Sequence, residues 1–197
     1  MSTLTKSEIK VLLMLFKDFS SDYNANSLSK QCGITPRGTL TILKNLEKKN
    51  LLISKQLGKA VFYKLKLHDY YAFRTLETLL ISEAREKASR WLWEFEDLFK
   101  SVEIVILFGS VIRKPKEAND VDLLLVFTQE KMSSVKKFIQ GKNQILLKPI
   151  HPIMQSHDDI FNNMKKRDPV VLSALRYGYV LHGYDKLIEV MKNVTGF

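Results

Sequence analysis

The chain has one cysteine in 197 residues, Cys32, so an internal disulfide is excluded. It also lacks any apolar run near the roughly 20 residues that a bilayer-spanning helix requires. The N-terminus interleaves Asp, Glu and Lys with its apolar residues, which is not the layout of a secretory signal. Together these absences lead us to expect a cytoplasmic protein with no membrane partner. Acidic residues are in short supply, 21 against 31 Lys and Arg, and the net charge is +10. The shortage is uneven: residues 1–67 hold 12 basic residues against 4 acids, residues 68–100 hold 5 against 7, and residues 101–197 hold 14 against 10. An excess of 8 in the first third points to a polyanion-binding module there, with nucleic acid the expected partner and a solvated basic surface the alternative. With 45% hydrophobic residues there is enough apolar material for packed cores.

What is present divides into three parts, residues 1–67, 68–100 and 101–197. In the first, Ile9, Leu12, Leu13, Leu15, Phe16 and Phe19 recur at helical spacing behind a capping box formed by Thr5 and Glu8. A short second helix is expected over residues 27–32, with Asn26 as its N-cap and Gly33 closing it. A third runs over residues 35–49, with Thr35 as cap and Pro36 at the first helical position. Asn50 suits a left-handed turn. Residues 51–67 alternate as two strands about Gly58, with Lys55, Lys59, Lys64 and Lys66 along them.

Three helices and a basic hairpin, with Gly33-Ile34-Thr35 leading to Leu46-Glu47-Lys48-Lys49-Asn50, resemble a winged helix-turn-helix domain. The resemblance implies that the third helix enters the major groove of double-stranded DNA and that the hairpin lies on the backbone. It makes Arg37, Thr39 and Thr41 candidates for groove contacts, with Lys44 and Lys48 nearer the phosphates and Lys55, Lys59 and Lys64 as wing contacts. A winged helix that binds protein instead is the alternative.

Residues 69–100 contain neither Gly nor Pro, and Phe73, Leu76, Leu80, Ala84, Ala88, Trp91, Phe95 and Leu98 follow at steps of three or four. This spacing predicts one long amphipathic connecting helix or two abutting ones, with Trp91 and Trp93 buried and Glu83, Arg85, Glu86 and Lys87 solvated. Such a helix would pair with its copy in a homodimer or cover the sheet that follows.

In the last part, Ile104-Val105-Ile106-Leu107-Phe108 is a buried strand ending at Gly109-Ser110. After nine further residues, Asp120-Val121-Asp122 opens a second apolar strand. Side chains alternate along a strand, so both carboxylates share one face, where they repel unless a cation lies between them. Helices are expected over residues 130–140, 158–166, 169–177 and 187–194, and a strand region over 144–154, at a sheet edge because Pro149 and Pro152 remove ladder donors. The fold class expected for the whole chain is α+β, with a mixed sheet and flanking helices in the C-terminal domain.

The spacing of Gly109-Ser110 and Asp120-Val121-Asp122, with Arg176-Tyr177-Gly178-Tyr179-Val180-Leu181-His182-Gly183 near the end, is similar to the minimal nucleotidyltransferase domain of the DNA polymerase beta superfamily, over roughly residues 83–185. The resemblance implies that Asp120 and Asp122 bind two Mg2+ ions with a nucleoside triphosphate, and that Gly109, Ser110 and Arg113 meet its phosphates. It implies nucleotidyl transfer to a nucleic-acid or protein acceptor. Active members carry a third carboxylate on a later strand, but residues 144–154 contain no acid, and His151 stands at about that place. Histidine there would serve as general base, or would mark a regulator that senses nucleotide without turnover.

Overall fold

The computed structural model describes residues 3–195, which form two compact units, residues 3–79 with Thr195 and residues 80–194. In the first, α1 (Lys6–Lys17) is opened by the Thr5–Glu8 capping box, and Val11, Leu12, Leu15 and Phe16 are buried along one stripe. Strand β1 (Tyr23–Asn24) leads into α2 (Ala25–Cys32). Its N-cap is Asn24 rather than Asn26, because the Ser27 N–H donates to Asn24 Oδ1 at 2.9 Å while the Asn24 N–H donates to Ser27 Oγ at 3.0 Å. That reciprocal pair starts the helix two residues before the expected position. Gly33 ends it at φ 63°.

Helix α3 (Pro36–Lys48) is capped by Thr35, and Asn50 takes φ 61° before β2 (Leu52–Leu57) and β3 (Ala60–Leu65). The three strands are antiparallel in the order β1-β3-β2. Leu28, Leu43, Leu46 and Tyr63 join the α1 stripe in a single core, giving the layout of a winged helix.

Helix α4 (Tyr70–Lys87) runs through the division between the units and is followed by α5 (Ser89–Glu94) and a 3₁₀ turn at Glu96–Lys100. Of the two expected arrangements, two abutting helices are found, meeting at Ala88. Trp91 stacks on Phe95 at 5.5 Å and packs against the second core. Trp93 is 81% exposed, contrary to expectation, because it follows Trp91 by two residues and so lies on the opposite side of α5 from that core.

The second unit is built on a mixed sheet of β4 (Ile104–Phe108), β5 (Val121–Val126), β6 (Ile150–Gln155) and β7 (Tyr179–His182), in the order β6-β5-β4-β7. Strand β6 is parallel to β5, and the other pairs are antiparallel. All five residues of β4 are buried, as its unbroken apolar run requires. The helices are α6 (Ser110–Arg113), α7 (Met132–Asn143), α8 (His157–Lys165), α9 (Pro169–Tyr177) and α10 (Tyr184–Val194). The third strand is shorter than expected. Residues 144–149 are irregular, with Ile145 and Leu147 exposed, and pairing begins at Ile150, where β6 occupies the sheet edge that Pro152 permits. No helix among the described residues is long and apolar enough to cross a membrane.

Candidate functional site

Sheet register gathers the acid pair and the histidine. Asp122 is the second residue of β5, with Phe108 of β4 opposite it on one side and His151 of β6 opposite on the other. Asp120 precedes the strand by one residue and projects to the same face. One ligand atom from each of Asp120, Asp122 and His151 lies within 4.8 Å of the others. His151 Nδ1 is 3.2 Å from Asp122 Oδ1, and its side chain is 68% exposed, so the cluster is open to solvent on the β6 side.

The backbone after β4 is shaped around this cluster. Gly109 has φ 81°, a conformation that residues with a side chain rarely adopt. A Cβ there would stand 1.9 Å from Asp122 Oδ2, so the carboxylate occupies the volume a side chain at 109 would need. Ser110 is the first residue of α6, but α6 is a single turn of four residues. The dipole contribution expected from a helix N-terminus is accordingly small, and what Ser110 offers an anion is its hydroxyl and amide. Arg113 reaches back toward the Gly109 carbonyl, Nε to O 3.5 Å, with its guanidinium 5.9 Å from the centre of the Tyr177 ring. Tyr177, half exposed, also has Arg176 at 5.7 Å and joins the site as a residue that spacing alone did not single out. The donor set of two carboxylates and one imidazole, converging beside a glycine with no room for a side chain, fits a divalent cation. Asp158 and Asp159 lie in the first turn of α8, where Asp159 forms a capping box with Ser156.

The first unit presents a separate surface. Arg37, Thr41, Lys44 and Lys48 are exposed along one side of α3. Thr39, expected among them, is fully buried. It lies four and seven residues before Leu43 and Leu46 and shares their inward stripe, so it cannot reach a groove. Leu40, 37% exposed, stands on the outer side instead. Arg37 and Lys59 line one concavity of about 440 Å³ with Asn24, Asn26, Leu40 and Val61, which places the start of α3 and the tip of the hairpin about the same hollow. Lys55 is exposed on β2, whereas Lys64 is drawn to Asp22 at 3.4 Å and Lys66 donates to Asn50 at 2.6 Å. Lys64 is thereby turned from the free cations of the wing toward an internal pair.

No family model and no curated protein matches the chain. Among solved structures it is similar to a zinc-responsive MarR family member, ZitR of Lactococcus lactis, at 15% identity and a TM-score of 0.33 over 73% of this chain and 76% of that one. A cysteine-to-serine mutant of ZitR in complex with DNA gives 15% identity and 0.34 over 72% and 75%.

Proposed function

We propose that this chain is a DNA-binding regulator whose second domain holds a nucleoside triphosphate with a divalent cation as effector. The observation that carries it is the convergence of Asp120, Asp122 and His151 within 4.8 Å beside Gly109. Asp120 and Asp122, with His151, would hold Mg2+ or a similar ion, which when bound neutralises phosphate charge that two bare carboxylates would repel. Ser110 and Arg113, in the turn that follows Gly109, would offer a hydroxyl and a cation to the phosphates of the nucleotide. In the first unit, α3 and the hairpin would present Arg37, Thr41, Lys44, Lys48, Lys55 and Lys59 to duplex DNA. The reading is tested by calorimetry with ATP and Mg2+, with and without duplex. Saturable, cation-dependent nucleotide binding that is lost in Asp120→Asn plus Asp122→Asn supports it. Its absence overturns it. Any effect of nucleotide on DNA affinity must be matched by an equal effect of DNA on nucleotide affinity.

The second reading, nucleotidyl transfer to a nucleic-acid or protein acceptor, is favoured by one contact. His151 lies against Asp122 and has an open side, so it could take a proton from an attacking hydroxyl. Incorporation of labelled nucleotide that disappears with His151→Ala, while nucleotide binding persists, would separate it from the first.

A further inference from the structure

A second cavity lies on the opposite face of the same sheet. Leu107 and Val121, which line it, alternate along their strands with Phe108 and with Asp120 and Asp122, so it is walled off from the carboxylate cluster by the sheet itself. Its volume is about 330 Å³, within the range of small-molecule sites. Its floor is apolar, and Trp91 and Tyr179 bring aromatic surface to it. Its charged lining is entirely cationic: Lys87, Arg90 and Lys148 contribute, and no carboxylate among the described residues does.

The cations are held in place. The Arg90 guanidinium lies 5.1 Å from the centre of the Trp91 ring, and Lys148 Nζ donates to the Pro115 carbonyl at 2.6 Å, leaving further N–H groups on both. Lys87 is paired with Glu86 at 2.8 Å, which leaves Arg90 and Lys148 as the principal cations. Leu147, also in the lining, is 99% exposed. It is an apolar side chain at the rim that gains burial only if something occupies the space beneath it.

We propose that this cavity binds an amphipathic organic anion, an apolar or aromatic body seated on Trp91 and the sheet with its anionic group between Arg90 and Lys148. The site goes beyond the nucleotide reading and shares no residue with it. Val111 and Ile112 of α6 also line the cavity, between Ser110 and Arg113 of the same turn, so an occupant bears on the backbone that supports the carboxylate cluster.

The test is fluorescence titration of the full chain with 8-anilino-1-naphthalenesulfonate, an aromatic sulfonate, beside the uncharged N-phenyl-1-naphthylamine. We expect one sulfonate bound per chain, with the neutral probe weaker by about tenfold, the scale of one charge-assisted hydrogen bond. Arg90→Ala plus Lys148→Ala should weaken the sulfonate by a similar or larger factor. Leu147→Glu changes only an exposed side chain, places an anion at the rim, and should weaken it as well. No saturable binding, equal affinity in both variants, or a neutral probe bound as tightly as the sulfonate would overturn the proposal. Loss of sulfonate binding in Asp120→Asn plus Asp122→Asn would also overturn it, by showing that the probe reports the nucleotide site. ATP binding that fails altogether while the sulfonate still binds refutes the nucleotide reading and leaves this one standing.

Discussion

His151 and Asp122 face each other across β6 and β5 as register partners, with Nδ1 3.2 Å from Oδ1. An imidazole nitrogen thus enters a donor set that would otherwise be all oxygen. Mg2+ is best served by oxygen ligands, whereas an imidazole suits the transition metals. Mn2+ should therefore bind more tightly than Mg2+. His151→Ala should weaken Mn2+ by about tenfold or more, the scale that loss of even an outer-shell partner produces. His151→Asp should restore the preference for Mg2+. Mn2+ paramagnetic resonance with Mg2+ competition measures both, and an unchanged ion preference in His151→Asp would remove the histidine from the site.

Gly109→Ala tests the fit of the turn. The positive φ alone costs about 1–3 kcal/mol for a residue with a side chain, and the new Cβ would collide with Asp122 Oδ2. Urea denaturation should show destabilisation of that order, together with loss of Mn2+ binding. A stable variant with intact metal affinity would contradict the geometry.

On α3, Arg37 and Thr39 should behave oppositely. Thr39 Oγ1 is buried with no hydrogen-bond partner among the described residues, so Thr39→Val removes an unsatisfied polar atom. It should leave DNA affinity unchanged and raise stability by up to about 1 kcal/mol. Arg37→Ala should cost about 1–3 kcal/mol of DNA binding if Arg37 reads a base edge. Band shifts on an operator selected from random duplexes, with thermal melts of both variants, separate the two effects.

Salt should govern the DNA complex. Each phosphate neutralised adds about one unit to the slope of log affinity against log salt. Lys55→Ala and Lys59→Ala should each lower that slope by about one, while Lys64→Ala, already paired with Asp22, should lower it less.

Glu8 supplies a pH signature. Burial alone would raise its carboxyl, but the hydrogen bond from Lys49 and the backbone bond from Thr5 outweigh this and hold it below its ordinary value of 4.5. A carboxylate with a depressed folded-state pKa contributes stability that is present above its unfolded value and lost as pH falls through the folded one. Glu8→Gln should therefore cost about 1.5–3 kcal/mol near neutral pH, the scale of a hydrogen bond to a charged group. The gap from wild type should close below pH 4.5, as read from denaturant midpoints across pH.

The features legible in the sequence were those written in local chemistry. The Thr5–Glu8 box, Thr35 before Pro36, and the apolar runs of β4 and β5 flanking Gly109 and Asp120 all stand where their spacing placed them. What spacing did not decide was which of several equivalent polar residues the tertiary structure uses. Asn24 and Asn26 are equally good caps in isolation, and only reciprocity with Ser27 selects the first. Thr39 is the exception, since its offset of four and seven residues from Leu43 and Leu46 marks it as inward-facing in the sequence itself. Trp93 followed the expectation that large aromatics bury, whereas its two-residue offset from Trp91 sets it on the other side of the helix. Tyr177 was out of reach because its nearness to Arg113 depends on how α9 returns to the sheet.

The missing side chain at Gly109 also couples two positions at the ends of neighbouring strands. With a β-carbon at position 109 the Asp122 carboxylate must leave its present place. A side chain at 109 should therefore cost less where residue 122 is small, so the effects of substitutions at 109 and 122 do not add.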